Sequence, residues 1–346
     1  MSTASGRLDL AFHGIPATVT SDDGETLGLV EHDFGLFLGP GPAPVVPAAI
    51  EIRLVLGRPP ADRIPRKRPL VHTKDAAVYR DGDVRVYDSR GDVLVIYDMR
   101  ARRAEVHSLD RDLLREKCYL LVMTRVGEEL DRRGLHRIHA MGVAHQGHAV
   151  VCLLPSGGGK TTLALSLLAL PGFELLSEEV PLLSRTGRLH AFPVRMGVVE
   201  GTRLDIPARF LQAFRRTRRE AKVLIDTRYF ARLIAPPAEP GIVFVGRRVG
   251  PGQAGIVPLS RLAGLAALLG PCVAGSGMPQ LLEYLLRLDL GDIRRQVPIL
   301  WSRLVASARL ARRSAVYELR LGPDREANAR LVAQYAATLA AARRAA

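Results

Sequence analysis

The sequence predicts an α/β protein in which a β-rich N-terminal module, residues 1–108, precedes an α/β module, residues 109–346. Short β-branched runs separated by turn residues occupy much of the first hundred positions, which is typical of antiparallel strands. After Leu109 the apolar residues recur at a helical spacing of about 3.6 positions. A glycine run then lies between an apolar strand and a helical stretch, so the second module combines strands with helices.

The N-terminal module contains an alternating, β-branched run at 50–56. Three further runs, at 84–87, 93–97 and 104–107, are separated by turns such as Asp81-Gly82-Asp83. This spacing predicts an antiparallel meander, interrupted by proline-rich loops. We expect the module to bind a partner or a substrate peptide through a sheet edge, because it carries no nucleotide motif.

The second module begins with a predicted helix over 110–133 that ends at Gly134. Two strands, 138–144 and 148–154, follow and are joined by the short turn at 145–147. The remaining predicted elements are helices at 160–170, 259–269, 280–288, 293–311 and 327–344 and strands at 173–176, 180–183, 189–192, 241–245 and 315–321.

The formal charge is +14, and the arginines occur in clusters. Such a field attracts anions, including nucleotides, acidic peptides and nucleic acid, although a solvated basic surface explains the clusters equally simply. Aromatic residues are only 5% of the chain, too few to suggest platforms for base stacking. We therefore expect no nucleic-acid partner.

Cysteine usage and hydropathy favour a cytoplasmic protein without a membrane segment. Cys118, Cys152 and Cys272 are far apart and form no CxxC pair, so we expect each to be a small buried apolar residue. The first 14 residues contain no apolar core of signal-peptide length. Residues 262–282 carry no charge, but two prolines and four glycines favour two short helices and a loop over a membrane span.

The glycine run is predicted to be a phosphate-binding loop; the alternative is a flexible glycine turn before a helix, with Lys160 exposed. Its predicted nucleotide-binding residues are Ser156, Gly157, Gly158, Gly159, Lys160, Thr161 and Thr162. Glycines allow backbone N–H groups to converge on phosphate oxygens, and the following helix contributes the partial positive charge of its N-terminus. Lys160 supplies a full charge for the outer phosphates, while the Thr161 hydroxyl is suited to Mg²⁺. Leu154 stands where the first glycine of GxxxxGK[ST] would be, so that position departs from the motif.

Two carboxylates follow the loop at the end of the next predicted strand. Strand C-termini gather at one edge of an open α/β sheet, so we expect Glu178 and Glu179 to lie near the loop. One carboxylate there can hold Mg²⁺ and the other can accept a proton from an attacking hydroxyl. An acidic turn facing water explains the same pair equally well.

His139, upstream of the loop, is by pattern alone more typical of a structural histidine. However, the order along the chain of His139, the loop 156–161 and the acidic segment 177–179 resembles the catalytic core of HPr kinase/phosphorylase. More specifically, it resembles the HPr-kinase-related proteins of bacterial peptide-modification clusters. The resemblance covers about residues 135–200, with weaker likeness at 241–245 and 316–322. It implies a phosphoenolpyruvate-carboxykinase-like P-loop fold with a mixed sheet. The implied activity is phosphoryl transfer from ATP to a serine of a protein or peptide.

The resemblance also implies roles for individual residues. Lys160 and Thr161 become the phosphate and magnesium ligands, and His139 an active-site histidine. Glu178 and Glu179 stand where the family has aspartates. We take Glu178 as the catalytic base and Glu179 as a metal ligand, and the order of these two roles is left open. Each is one methylene longer than aspartate, and the family's phosphorylase signature is only faintly echoed at 195–199. The acceptor, the choice between ATP and GTP and the oligomeric state, a homo-oligomer included, are left open.

Two other classes of protein share part of this pattern. An ABC-type ATPase would also need an LSGGQ segment, and a carboxykinase would need further metal ligands; the sequence shows neither. The main alternative to a kinase is a nucleotide-gated module that binds a peptide without phosphorylating it. The substitution of glutamate for both aspartates favours this alternative, because it weakens the match at the catalytic acids.

Overall fold

In a computed structural model, the chain is a mixed α/β protein with several mixed sheets, described over residues 6–39, 48–216, 219–274 and 290–345. The chain divides into two compact units. The first contains the described parts of Met1–Leu130 and Val199–Asp226, and the second those of Asp131–Val198, Thr227–Met278 and Leu290–Ala346. Among the described helices, none has the length and apolar character needed to cross a membrane.

The first unit is built on an eight-stranded sheet whose strand order is β1-β2-β3-β8-β7-β6-β5-β4. Its strands are β1 (Gly6–Phe12), β2 (Ile15–Ser21), β3 (Ile50–Leu56), β4 (Val71–His72), β5 (Ala77–Asp81), β6 (Val84–Asp88), β7 (Val93–Asp98) and β8 (Arg103–Ser108). Strands β6 to β8 form the predicted antiparallel meander, and β5 extends it by one strand. Strands β2, β3 and β8 pair in parallel. Alternation along β3 buries Ile50, Ile52 and Leu54, which explains the β-branched pattern of that run.

Four strands of this sheet, β1, β2, β4 and β5, and the helix α1 (Gly24–Phe34) were not predicted from the sequence. Helix α1 is short, and its buried residues include the polar Thr26, His32 and Asp33, so its apolar periodicity is weak. The side chain of Asp23 caps it by accepting a hydrogen bond from the Thr26 N–H at 2.9 Å.

A buried ion pair joins α1 to α2 (Arg111–Arg132), the helix predicted over 110–133. The fully buried Arg115 donates from Nε to Asp33 at 3.0 Å. The later segment Val199–Asp226 belongs to the same unit, and its hairpin consists of β16 (Leu211–Arg216) and β17 (Arg219–Ile225). The Arg115 guanidinium lies 5.6 Å from the ring centroid of Phe214 in that hairpin. The division predicted at Leu109 did not include this later segment.

The second unit is built on a six-stranded sheet whose order is β12-β10-β11-β18-β20-β19. Its strands are β10 (Met141–His145), β11 (His148–Leu153), β12 (Phe173–Ser177), β18 (Glu239–Arg248), β19 (Gly255–Pro258) and β20 (Ala315–Leu321). Three shorter strands, β9 (Leu135–Arg137), β13 (Leu182–Ser184) and β14 (Leu189–His190), form a separate sheet, and β15 spans Met196–Val199. The described helices are α3 (Lys160–Leu168), α4 (Arg261–Leu268), α5 (Leu290–Arg313) and α6 (Arg325–Ala345), with a π-helical turn at Leu269–Ala274.

The sheet of the second unit is buried, as its apolar strands predict. Val151, Val243 and Val316 on three neighbouring strands contribute to one core with Leu268 and Leu310 from α4 and α5. Cys152 and Cys272 are buried and unpaired, as is Cys118 of the first unit, in agreement with their prediction as small buried residues. The predicted helix at 280–288 and the end of the 262–282 stretch lie outside the described residues.

A buried polar network fixes the start of this unit. His136 bridges Asp131 and Ser302, with its two ring nitrogens 2.8 Å from an Asp131 oxygen and from the Ser302 hydroxyl. Arg303 donates to Asp131 at 3.0 Å and to the Val273 carbonyl at 3.1 Å. Burial opposes the charged form of Asp131, but hydrogen bonds from His136 and Arg303 outweigh it and lower the pKa of this carboxyl. The network therefore joins α2, β9, α5 and the π-helical turn.

Candidate nucleotide-binding site

The glycine loop connects the end of β11 at Leu153 to the start of α3 at Lys160, in the strand–loop–helix order that the sequence predicts. Residues 155–157 are exposed to solvent, so Ser156 lies at the open tip of the loop together with Gly157. Gly158 and Lys160 are buried. The loop thus presents its tip to solvent while its second half is held against the protein.

Two of the glycines are required by the backbone itself. A Cβ on Gly158 would lie 2.9 Å from the carbonyl oxygen of Pro155, which is too close for any side chain. The Gly158 N–H donates to that same oxygen at 3.0 Å, so the loop curls tightly at this point. Gly159 has φ 95°, in the left-handed region that favours glycine.

The N-terminus of α3 is open. Gly159 occupies the N-cap position and provides no side-chain hydrogen bond to the first turn. Thr161 and Thr162, in that turn, are half-buried. Backbone N–H groups in the first turn of a helix lack intrahelical acceptors and attract anions, which suits a phosphate group.

Lys160 turns back toward the loop. Its ammonium donates to the Leu154 carbonyl at 2.9 Å and to the Pro155 carbonyl at 3.3 Å, and it lies 3.2 Å from Nε2 of His139. The side chain is 8% exposed, so the cation is held at the base of the loop. The ammonium therefore helps to hold the loop in its curled shape.

His139 is brought to Lys160 by strand pairing. In the β10–β11 hairpin Met141 pairs with Cys152, which places the residues just before β10 beside the end of β11. The backbone N–H of His139 donates to Pro271 at 3.2 Å in the π-helical turn. Burial, and then the Lys160 ammonium, lower the pKa of His139 to about 4, so the imidazole is neutral at pH 7. Its Nδ1 is buried and has no hydrogen-bond partner among the described residues.

Glu178 contacts the loop threonine directly. Strands β11 and β12 both pair antiparallel with β10, so their C-terminal ends lie at the same edge of the sheet. The Thr161 hydroxyl donates to Oε1 of Glu178 at 2.6 Å, and Glu178 is 8% exposed. The longer glutamate side chain therefore reaches the position of the threonine hydroxyl without overshooting it.

Glu179 lies in the same turn but is half-buried. Its carbonyl oxygen accepts the N–H of Ala140 at 3.1 Å, and the Ser177 hydroxyl accepts the N–H of Val180 at the same distance. These bonds fix the backbone of the turn next to His139. Among the described residues, no group of three or more His, Cys, Asp or Glu side chains is arranged to bind a metal by itself.

Two further contacts were not predicted from the sequence. The Gly197 carbonyl, in β15, lies 3.4 Å from the Thr161 hydroxyl. Pro271 holds the backbone of His139, as described above. The only sequence signal for the Gly197 contact was a faint likeness to the family signature at 195–199. Nothing local in the sequence indicates the contact between Pro271 and His139.

No protein-family model matches this chain, and no curated protein matches its sequence.

We predict that the neutral state of His139 depends in part on Lys160. In Lys160→Met the nearby positive charge is removed while burial remains, so the pKa of His139 should rise from about 4 but stay below the model-peptide value of about 6.5. Proton NMR of the imidazole, assigned by the loss of its signal in His139→Gln, measures this value. Lys222→Met, which removes a lysine charge from the first unit, should leave the titration unchanged. A wild-type midpoint near 6.5 would contradict the geometry.

Proposed function

We propose that this protein is an ATP-dependent kinase that transfers the γ-phosphoryl group to a serine of a protein or peptide. The observation that carries the proposal is the grouping of Lys160, Thr161, Glu178 and His139 at one edge of the second unit's sheet. Phosphoryl transfer relies mainly on positioning and on stabilisation of charge, and these groups are of the kinds required. The acceptor residue, serine, is inferred from the resemblance to HPr-kinase-related proteins.

Lys160 is the proposed ligand of the outer phosphates. Binding would exchange its hydrogen bonds to the Leu154 and Pro155 carbonyls for bonds to phosphate oxygens. The open N-terminus of α3, at Thr161 and Thr162, would contribute backbone N–H groups to the same phosphates. Because bonds from a cation to an anion are stronger than bonds to a neutral carbonyl, the exchange favours the bound state.

The residues present fit Mg²⁺. A hydroxyl and a carboxylate oxygen, from Thr161 and Glu178, lie 2.6 Å apart, and Mg²⁺ is commonly held by one or two such protein oxygens together with phosphates and water. Bound Mg²⁺ would neutralise charge on the β- and γ-phosphates. A protein cluster of three or more carboxylates is not needed for this mode of binding.

The contact between Thr161 and Glu178 supports the opposite order of roles for the two glutamates. A carboxylate that touches the metal-binding hydroxyl lies beside the metal, so we assign Glu178 to Mg²⁺. Glu179 is half-buried, which suits a base that must meet an incoming serine hydroxyl. His139, neutral at pH 7, accepts from the Lys160 ammonium and orients it toward the loop.

One observation favours the alternative, a nucleotide-gated module that binds a peptide without modifying it. Both acids are glutamates where the resembling kinases have aspartates. Because Glu178 reaches the Thr161 hydroxyl, its greater length does not argue against a role in the site. The same cannot be said of Glu179. The two functions differ in one product, a phosphorylated acceptor.

We predict that the wild-type protein, given ATP, Mg²⁺ and peptides encoded beside its gene, adds phosphate to a serine, as detected by mass spectrometry. Lys160→Ala should abolish the product because the outer phosphates lose their cation, which in such sites is worth several kcal/mol. Lys222→Ala, a lysine change in the first unit, is the matched control and should retain activity. Tight ATP-dependent binding with no modified peptide among all candidates would instead support the binding module.

We predict that the two glutamate variants differ in the Mg²⁺ dependence of their activity. Glu178→Gln should raise the Mg²⁺ concentration needed for half-maximal activity, because a proposed ligand of the metal is lost. Glu179→Gln should lower kcat with little change in Mg²⁺ dependence, since general-base catalysis typically contributes about 10²–10⁴-fold. The reverse pattern would restore the sequence-based order, and normal turnover by both variants would mean that neither carboxylate takes part in the reaction.

A further inference from the structure

A concave basic surface lies at one edge of the first unit's sheet, in a part of the protein that carries none of the nucleotide-binding residues. Its volume is about 620 Å³, and it is lined by Arg68, Pro69, Leu70, His72 and Arg80. We call these five residues the edge groove. The volume is within the range of about 300–1,000 Å³ typical of ligand sites.

The two arginines of the edge groove are exposed cations. Neither Arg68 nor Arg80 has a described hydrogen bond or ion pair with its side chain within residues 6–39, 48–216, 219–274 and 290–345. Neighbouring cations differ: Lys67 pairs with Asp81 at 2.7 Å, and Arg63 lies 3.5 Å from Glu105. The positive charge of the groove is thus available to an anion from outside the unit.

The backbone beside the groove offers an open strand edge. Strand β4 (Val71–His72) is the last strand of the eight-stranded sheet and pairs only with β5 among the described strands. An exposed strand edge can accept an extended peptide as an additional strand. Leu70, immediately before β4, is 44% exposed and offers an apolar contact to a side chain of such a peptide.

We infer that the edge groove binds an extended acidic peptide, with carboxylates on Arg68 and Arg80 and an apolar side chain on Leu70. Arginine forks match carboxylates in two parallel hydrogen bonds. A nucleic acid is less suited to this surface, because no Phe, Tyr or Trp is among the five lining residues to serve as a platform for base stacking. Binding of the peptide does not depend on the proposed function. The further step, that this peptide is the phosphoryl acceptor, rests on the proposed function.

The test measures binding without nucleotide, by fluorescence anisotropy of a short labelled peptide of alternating glutamate and valine. Wild type should bind it, and Arg68→Glu/Arg80→Glu should weaken binding by at least about tenfold, the size expected for loss of charged hydrogen bonds. The control Arg58→Glu/Arg100→Glu makes the same change in net charge at two exposed arginines outside the groove. It should change the affinity far less.

Several outcomes would overturn the inference. They are failure of wild type to bind the acidic peptide, equal losses in the two double variants, and tighter binding of a single-stranded oligonucleotide that is lost in the same variant. Arg68→Gln/Arg80→Gln, with a thermal melt by circular dichroism, separates loss of binding from loss of folding. Peptide binding that survives in Lys160→Ala, together with absence of phosphoryl transfer by wild type, would reject the proposed kinase and leave the groove intact.

Discussion

The pairing of β10 with both of its neighbours is the constraint on which the candidate site depends. Met141 pairs with Cys152 on β11, and Gly142 pairs with Ser177 on β12. Both registers place the start of β10 beside the C-terminal ends of the other two strands. A shift of either register by two residues would move the loop or the acidic turn by nearly 7 Å, more than the hydrogen bonds of the site can span. The sheet, more than the loop alone, therefore sets the distances among Lys160, His139 and Glu178.

The charged side chains of the site are held by hydrogen bonds to neutral groups. The buried Lys160 ammonium rests on two carbonyl oxygens and beside a neutral imidazole, and the Thr161 hydroxyl rests on Glu178. Each of these contacts occupies a group that a nucleotide or a metal would use. On the proposed function, these contacts would be exchanged for bonds to phosphate and metal.

Local patterns in the sequence were sufficient for the elements that build the site. The strand before the loop, the helix after it and the strand that ends at the acidic turn were each predicted within two residues of the observed bounds. The place of His139 was not, although the short turn at 145–147 already implied that the start of one strand returns beside the end of the next. The position of His139 depends on strand pairing across this turn, and a residue pattern along the chain does not show such pairing.

Other features depend on contacts between distant segments and leave no local signal. The segment Val199–Asp226 joins the first unit through contacts such as that of Arg115 with Phe214, and the Arg215 N–H donates to Asp112 at 3.2 Å. Polar and arginine-rich runs such as 215–219 look alike whether they face solvent or pack on another segment. Helix α1 was missed for a different reason. Three of its buried residues, Thr26, His32 and Asp33, are polar and weaken its apolar periodicity, and its only cap signal is one aspartate.

The central claim, that the 156–161 loop binds a nucleoside triphosphate, is tested most directly by a crystal structure of the protein with Mg²⁺ and a non-hydrolysable ATP analogue. The account predicts that Nζ of Lys160 leaves the Leu154 and Pro155 carbonyls for the outer phosphates, with the metal bound between Thr161 and Glu178. A nucleotide bound elsewhere would contradict this prediction. So would a nucleotide bound at full occupancy in the loop while Lys160 keeps its hydrogen bonds to the Leu154 and Pro155 carbonyls.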